Sequence, residues 1–448
     1  MSHHPPIISD RNPARNAPRP HASRRQILGA LAACPFAGLP LAARAQTDAP
    51  GHSVTDAPVL RAASPADHVP FRGRWQAGVV TPRPANGMIA SFDVVAETPD
   101  DLEDLLRRLT DRIAFLTTGG AVPDLAPRLP PADSGILGPE VMPDALTITV
   151  SLGASLFENR PWLAPLKPRH LTRMTRFPND ALDASLCHGD LSLQICANTQ
   201  DTTIHALRDL IKNLPDRLIL KWKQEGNVPV IAPGPDGAVE SARNFLGFRD
   251  GSANPDAGDT ALMQRLIWVG PERGEPEWAL NGSYQLVRII RNFVERWDRT
   301  PLGEQERIMG RIRTTGAPLD APDTTEFDTP DYTTDPEGLR TPLDSHIRLA
   351  NPRTPESDEN IILRRPFNYS NGVTKSGQLD QGLLFICYQA DLDKGFIAVQ
   401  RRLDGEPLEE YIKPVGGGYF YTLPGAGDAP DYIGSPLIAA ARSAATAL

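Results

Sequence analysis

The middle of the chain contains the stretch Asn244-Phe245-Leu246-Gly247-Phe248-Arg249-Asp250-Gly251-Ser252-Ala253-Asn254-Pro255, which sets one carboxylate between two glycines. Glycine lets the backbone adopt positive φ and lets a flat ligand approach the main chain closely. The apolar residues before Asp250 would raise the cost of leaving its charge unpaired. Taken alone, Arg-Asp-Gly-Ser is also ordinary turn chemistry, so the stretch predicts either a surface turn or a site built around Asp250.

Two segments further along the chain favour the site. His346 is the only histidine in the second half of the chain, and Arg364 follows it eighteen residues later. Each of these residues alone would more simply be a solvated polar group. Together with Asp250 they supply what a haem peroxidase requires: an imidazole for the iron, a base for the peroxide proton, and a fixed cation for the charge that develops as the O–O bond breaks.

At this point the sequence resembles the dye-decolourising haem peroxidases. Gly247–Gly251 is similar to the G-x-x-D-G signature of that family, His346 to its proximal iron ligand and Arg364 to its distal arginine. The match is closest to the exported deferrochelatase/peroxidase branch. Three further segments resemble that branch, namely Gly189–Asp201, Tyr284–Asn292 and Tyr411–Gly418. The resemblance covers roughly everything after Trp75.

The resemblance implies a haem-dependent peroxidase that reduces hydrogen peroxide and oxidises a reducing substrate such as a dye or a phenol. It implies one haem b per chain, with His346 as the proximal ligand, Asp250 as the distal acid and base, and Arg364 as the charge stabiliser. It also implies that residues of the signature contact the cofactor, together with the distal arginine: Gly247, Phe248, Arg249, Gly251 and Arg364.

A haem pocket is lined mainly by apolar side chains, and several residues near these motifs are candidates, although each alone could be plain core: Leu246, Phe248, Leu363, Phe385 and Ile386. A carboxylate should hydrogen-bond the second ring nitrogen of His346, and four acids in the correct half could do so: Asp391, Asp393, Glu409 and Glu410. Bulky reductants would need electron relay through surface aromatic residues, for which Trp268, Trp278 and Trp297 are candidates.

The order of predicted elements indicates the fold. Alternating residues from Met88 to Val95 predict a strand, and Thr98 opens a helix whose leucines keep helical spacing. The first half then continues strand, strand, helix, strand, which is the ferredoxin-like order. The second half repeats it with larger insertions, among them the Pro-, Asp- and Thr-rich segment 317–343, a loop of the kind that is functional or disordered.

With the resemblance, this order predicts an α+β fold of two ferredoxin-like domains packed sheet to sheet, of the dimeric α/β-barrel type, with haem in the C-terminal half. The N-terminal domain is expected at 76–235 and the C-terminal haem-binding domain at 236–448.

The N-terminus carries an export signal. Ser23-Arg24-Arg25 precedes an apolar run that proline and glycine interrupt, so the run is too short for a stable membrane span. We therefore predict a twin-arginine signal peptide at 1–45, a disordered leader at 46–75, the twin-arginine translocase as a partner during export, and a periplasmic location with no stable membrane insertion.

Net charge and cysteine content exclude some classes of function. Removal of residues 1–45 changes the formal charge from −9 to −14. Because nucleic acid is also negatively charged, a protein this acidic is a poor candidate for binding it. Cys187, Cys196 and Cys387 remain, and they are interpreted as small buried hydrophobic residues. Because the predicted destination is oxidising, the sequence does not exclude one disulfide among them.

Two alternative functions also need His346 as the haem ligand. One is a deferrochelatase of a periplasmic iron-uptake system, which would release iron from haem with the porphyrin intact and would work with iron-uptake partners. The other is a haem carrier. Only the peroxidase needs Asp250 and Arg364 together. The sequence neither predicts nor excludes assembly into a homo-oligomer.

Overall fold

Two successive runs of strands and helices follow the same order in a computed structural model, which describes residues 64–232 and 239–446. The first run comprises β1 (Asn86–Val94), α1 (Pro99–Thr118), β2 (Gly120–Ala121), β3 (Glu140–Val141), β4 (Thr147–Gly153), α2 (Ala154–Glu158), β5 (Leu191–Ala197), α3 (Gln200–Asn213) and β6 (Leu218–Asn227).

The second run is longer because more helices and loops separate its strands. It comprises α4 (Thr260–Leu266), β7 (Ser283–Asn292), α5 (Val294–Trp297), α6 (Leu302–Met309), α7 (His346–Ala350), β8 (Leu363–Arg364), β9 (Phe367–Val373), β10 (Leu379–Gln389), α8 (Ala398–Leu403), β11 (Ile412–Thr422) and α9 (Ser435–Thr446). A π-helical turn at Asp393–Ile397 leads into α8.

Strand order confirms the predicted fold class. The first run forms the order β4-β5-β1-β6, and the second forms β11-β7-β10-β9, with β8 paired to β10. Each is the ferredoxin-like arrangement. β11 pairs with β4 and β6 meets β9, so the two four-stranded sheets join at both edges into a closed ring of eight strands.

Helix α1 shows how the sequence produces these layers. Thr98 and Asp101 form a capping box and Pro99 occupies the first turn, so the N-terminus is satisfied. The buried face consists of Leu102, Leu105, Leu106, Leu109, Ile113 and Leu116. Burial of each such side chain contributes about 1.5–3 kcal/mol to stability. α9 also packs against this helix.

Several expectations can be compared directly. Cys187, Cys196 and Cys387 are free and buried, as predicted, and no disulfide occurs among the described residues. The signal at 1–45 and the leader up to residue 63 lie outside the described residues. Residues 64–75 form no helix or strand, but Phe71 and Trp75 pack against the core. Within 64–232 and 239–446, no helix is both long and apolar enough to cross a membrane.

Candidate functional site

The second half of the chain contains a cavity that brings the three predicted site residues together. Asp250, His346 and Arg364 all line it, and the volume open to the centre of a water molecule is about 280 Å³. Phe248 and Arg249 also line it, whereas Gly247 and Gly251 do not. The three residues come from a loop, the start of α7 and the short strand β8.

His346 is the first residue of α7, and its ring is fixed by a buried acid. Nδ1 lies 2.7 Å from Oε2 of Glu406, which is almost fully buried. Burial lowers the pKa of His346, but the charge and hydrogen bond of Glu406 outweigh that effect, so the pKa is raised overall. Within the described part of the chain, Nε2 of His346 has no hydrogen-bond partner.

The carboxylate beside His346 was missed by the sequence reasoning. The partner is Glu406 and none of the four candidates. No hydrogen bond or ion pair joins the His346 ring to any of these described residues: Asp391, Asp393, Glu409 and Glu410. Glu406 lies in a Gly-Glu-Pro sequence sixty residues after His346, directly before the 3₁₀ helix Pro407–Glu410. Local sequence does not distinguish it from its neighbours, since only the fold selects which acid faces the imidazole.

Asp250 and Arg364 form a direct ion pair. Nη1 of Arg364 donates to Oδ1 of Asp250 at 3.0 Å. Asn254 holds the backbone of Arg364 on both sides, because its Oδ1 accepts from the Arg364 N–H at 3.0 Å and its Nδ2 donates to the Arg364 carbonyl at 2.7 Å. Asn254, four residues after Asp250, therefore positions the arginine with which Asp250 pairs.

The loop before Asp250 is a structured turn. The side-chain oxygen of Asn244 accepts from the N–H groups of Leu246 and Phe248, and the N–H of Asp250 donates to the carbonyl of Ala242. Gly247 has φ +88°, and a Cβ there would lie 2.7 Å from Nε of Arg313. The stretch therefore combines a tight turn with a carboxylate that lines a cavity.

Arg249 is anchored away from the ion pair. Its side chain is buried and pairs with Glu240 and, at 3.9 Å, with Glu326. Glu326 also accepts from the Ser241 N–H at 2.8 Å and from the Ser252 hydroxyl at 2.7 Å. These contacts hold the two sides of the Asp250 loop together, so Arg249 serves the loop even though part of it reaches the cavity wall.

The apolar lining agrees only in part with the sequence candidates. Leu246, Phe248 and Phe385 line the cavity. Leu363 and Ile386 instead belong to the core. The three tryptophans considered for surface relay are also buried, so they cannot meet a bulky reductant at the surface: Trp268, Trp278 and Trp297.

Two further cationic side chains line the cavity that were not anticipated. Arg353 lines it with φ +60°, its Nε is buried without a partner, and no carboxylate pairs with it among the described residues. Arg288 forms a fully buried ion pair with Asp180, and both line the cavity. Arg83 does not line the cavity but interacts electrostatically with Asp250: burial lowers the pKa of Arg83 to about 10, and the charge of Asp250 opposes that shift.

Comparison with known proteins gives a consistent result. The family models described as Dyp-type peroxidase, N-terminal and C-terminal, match residues 76–227 and 241–427. Proteins named deferrochelatase from Escherichia coli O157:H7 and from Shigella boydii serotype 4 (strain Sb227) are each 56% identical over 419 residues, which covers 93% of this chain and 97% of each relative.

Solved structures agree with the sequence matches. A DyP-type peroxidase from Cellulomonas bogoriensis superposes with a TM-score of 0.73 at 35% identity, covering 84% of this chain and 99% of that one. Ferric DtpA from Streptomyces lividans superposes with a TM-score of 0.72 at 32% identity, covering 84% and 98%.

Proposed function

The chain belongs to the Dyp-type peroxidase family, and on that premise we propose that His346, Asp250 and Arg364 carry its haem-dependent reaction. The family makes the chain a haem peroxidase that uses hydrogen peroxide and a reducing substrate. The assignment of roles to individual residues is supported by one observation above all: the ion pair of Asp250 and Arg364, at 3.0 Å, lines the same cavity as His346.

The residues of the cavity fit haem. Its walls include large apolar side chains, as a flat and mostly apolar ligand requires. Nε2 of His346 has no partner among the described residues, while Glu406 fixes the other nitrogen in the manner typical of a metal-binding imidazole. The guanidinium of Arg353, which has no partner among residues 64–232 and 239–446, suits a propionate. We propose haem b, with His346 as the proximal ligand.

The chain's own residues divide the work as follows. Bound haem supplies the iron and the redox chemistry that peroxide reduction requires. Asp250 takes a proton from hydrogen peroxide in the cavity and returns it to the oxygen that leaves as water. Arg364 stabilises the negative charge that develops on that oxygen. Asn254 and Glu326 keep the two side chains in position.

The reducing substrate is proposed to be a dye, a phenol or a similar donor. A second activity, deferrochelation, is favoured by the 56% identity to proteins named deferrochelatase. In that reaction haem is the substrate, and two protons must replace the iron on the porphyrin nitrogens. Such a protein would work with iron-uptake partners. We place the peroxidase first because, of the functions considered, only the peroxidase needs Asp250 and Arg364 together, whereas deferrochelation and haem carriage do not.

We further propose that the chain is exported to the periplasm by the twin-arginine route and that residues 1–45 are removed. Replacing Arg24 and Arg25 with Lys should leave uncleaved precursor in the cytoplasm, as seen by fractionation and immunoblotting. Cleaved protein reaching the periplasm at the normal level would contradict this route. Analytical ultracentrifugation of the mature chain would measure whether it assembles into a homo-oligomer.

One experiment separates the two activities. Purified haem-loaded protein is mixed with hydrogen peroxide and a phenolic donor, and in parallel is incubated without peroxide while released iron and metal-free porphyrin are measured. Rapid donor oxidation that is lost in Asp250→Asn supports the peroxidase. Iron release with intact porphyrin, together with slow donor oxidation that Asp250→Asn does not change, would refute it in favour of deferrochelation.

A further inference from the structure

A histidine and two aspartates meet outside the haem cavity. Nδ1 of His170 lies 2.7 Å from Oδ2 of Asp393, and Nε2 lies 4.0 Å from Oδ2 of Asp391. One ligand atom from each side chain lies within 4.8 Å of the other two. His170 precedes β5, whereas the aspartates follow β10, so the fold brings together residues more than two hundred positions apart.

Backbone hydrogen bonds fix the positions of Asp391 and His170. Oδ1 of Asp391 accepts from the N–H groups of Asp393 and Lys394, both at 3.0 Å, which leaves Oδ2 on the side of the imidazole. The N–H of His170 donates to the hydroxyl of Tyr284 at 3.0 Å, and the two rings meet edge to face. Hydrogen bonds of this kind, which fix one atom of a ligand and leave the other directed inward, are typical of metal sites.

The cluster adjoins the wall of the haem cavity. Asn360 lines the cavity, and its Nδ2 donates to the carbonyl of Lys394 at 2.8 Å. Phe396 lies within the π-helical turn that begins at Asp393 and also lines the cavity. An ion bound here would therefore sit close to the haem pocket while contacting none of the residues proposed for catalysis.

We propose that His170, Asp391 and Asp393 bind one divalent first-row transition-metal ion. One imidazole and two carboxylates suit Fe²⁺ or Mn²⁺, and the imidazole disfavours Mg²⁺ and Ca²⁺, which take oxygen ligands. Two carboxylates balance the charge of the ion, and three protein ligands leave positions for water. This binding does not depend on whether the haem site oxidises donors or releases iron.

Two features compete with the ion. His170 must give up its hydrogen bond to Asp393, and Nη1 of Arg273 lies 3.9 Å from Oδ2 of Asp391. A fixed positive charge so near the site weakens the binding of a cation. Removing that charge in Arg273→Gln should therefore tighten binding, which a cluster serving only as an internal hydrogen-bond network would not show.

The test is a titration of the haem-loaded mature protein with Mn²⁺ in buffer of about 0.15 M salt, followed by calorimetry and by the EPR signal of free Mn²⁺. One ion should bind per chain. His170→Asn and Asp391→Asn should each weaken binding at least about tenfold, and Arg273→Gln should strengthen it about three- to tenfold.

Glu359→Gln is the matched control, because Glu359 is an exposed acid nearby that pairs with Lys394 and contacts none of the three ligands. It should leave Mn²⁺ binding unchanged. Circular dichroism and the Soret band identify any variant that fails to fold, and Arg273→Gln then carries the test. The proposal is overturned by a wild-type protein that binds no Mn²⁺, or by binding that is the same in Asp391→Asn, Arg273→Gln and wild type.

Discussion

Replacing Asp250 and Arg364 singly and together tests the proposed chemistry most directly. Arg364→Leu removes a fixed cation from the position where charge develops, and loss of one such group typically slows a reaction about 100- to 1,000-fold. Asp250→Asn removes the proton acceptor but keeps an oxygen that Nη1 of Arg364 can still reach at about 3.0 Å. This change should slow the peroxide reaction about 100- to 10,000-fold.

The double variant decides whether the two residues act as one unit. Independent effects would multiply to at least about 10,000-fold, whereas residues that serve the same bond cleavage show strongly non-additive losses. Because the two side chains contact each other, Asp250→Asn with Arg364→Leu should be little slower than the slower single variant. Loss of the ion pair should cost about 1–3 kcal/mol of unfolding free energy, so the fold should be retained.

Stopped-flow mixing of haem-loaded protein with hydrogen peroxide measures the first change of the Soret band, before any donor complicates the kinetics. Arg365→Leu is the matched control, because Arg365 is adjacent on the chain but donates to the carbonyl of Thr81 and does not line the cavity. Wild-type rates in both single variants, or equal losses in Arg364→Leu and Arg365→Leu, would refute the proposed roles.

Three further predictions concern the same site. His346→Ala should purify with little haem, and full occupancy with an unchanged Soret band would contradict its role as the iron ligand. Asn254→Ala should retain haem but slow the peroxide reaction about 10- to 100-fold, since Arg364 loses both backbone hydrogen bonds; a stopped-flow rate equal to wild type would show that the clamp is dispensable. Because the pKa of His346 is raised in the folded protein, its pairing with Glu406 stabilises the haem-free chain at low pH and this stabilisation is lost as the pH rises through the raised pKa. Thermal unfolding between about pH 5.5 and about pH 8.5 should show that loss in wild type but not in Glu406→Gln, and parallel curves would contradict it.

Most of the secondary structure follows from local pattern, and the exceptions have tertiary causes. Helix α1 was predictable because its cap and apolar spacing agree. β9 was not, because Phe367–Val373 contains Asn371-Gly372 and reads as a turn. It becomes a strand by pairing with β10, and Phe367 fits only because Gly87 and Gly226 lack side chains: a Cβ would come within 2.4 Å and 2.7 Å of it.

The site was predictable where a motif names the residue and unpredictable where the fold selects it. Asp250, His346 and Arg364 carry motif spacing, and the structure brings all three to one cavity. Glu406 and Arg353 do not, since acids and arginines are common in this half and only tertiary contact distinguishes these two.

The division of the chain near residue 235 stays a prediction, because residues 233–238 lie outside the described residues.

The segment 317–343 shows why composition alone misjudges a loop. Its Pro, Asp and Thr residues fit disorder as well as function, yet two of its acids are buried and tie together separate parts of the site. Glu326 holds the loop that carries Asp250. Asp335 accepts from three successive N–H groups and pairs with Arg348 of α7 at 3.4 Å, two residues after His346. Those hydrogen bonds, led by the one from the Thr341 N–H, lower the pKa of Asp335. An insertion that anchors both the Asp250 loop and the His346 helix is part of the scaffold of the site, so its length is explained by the two elements that it must reach.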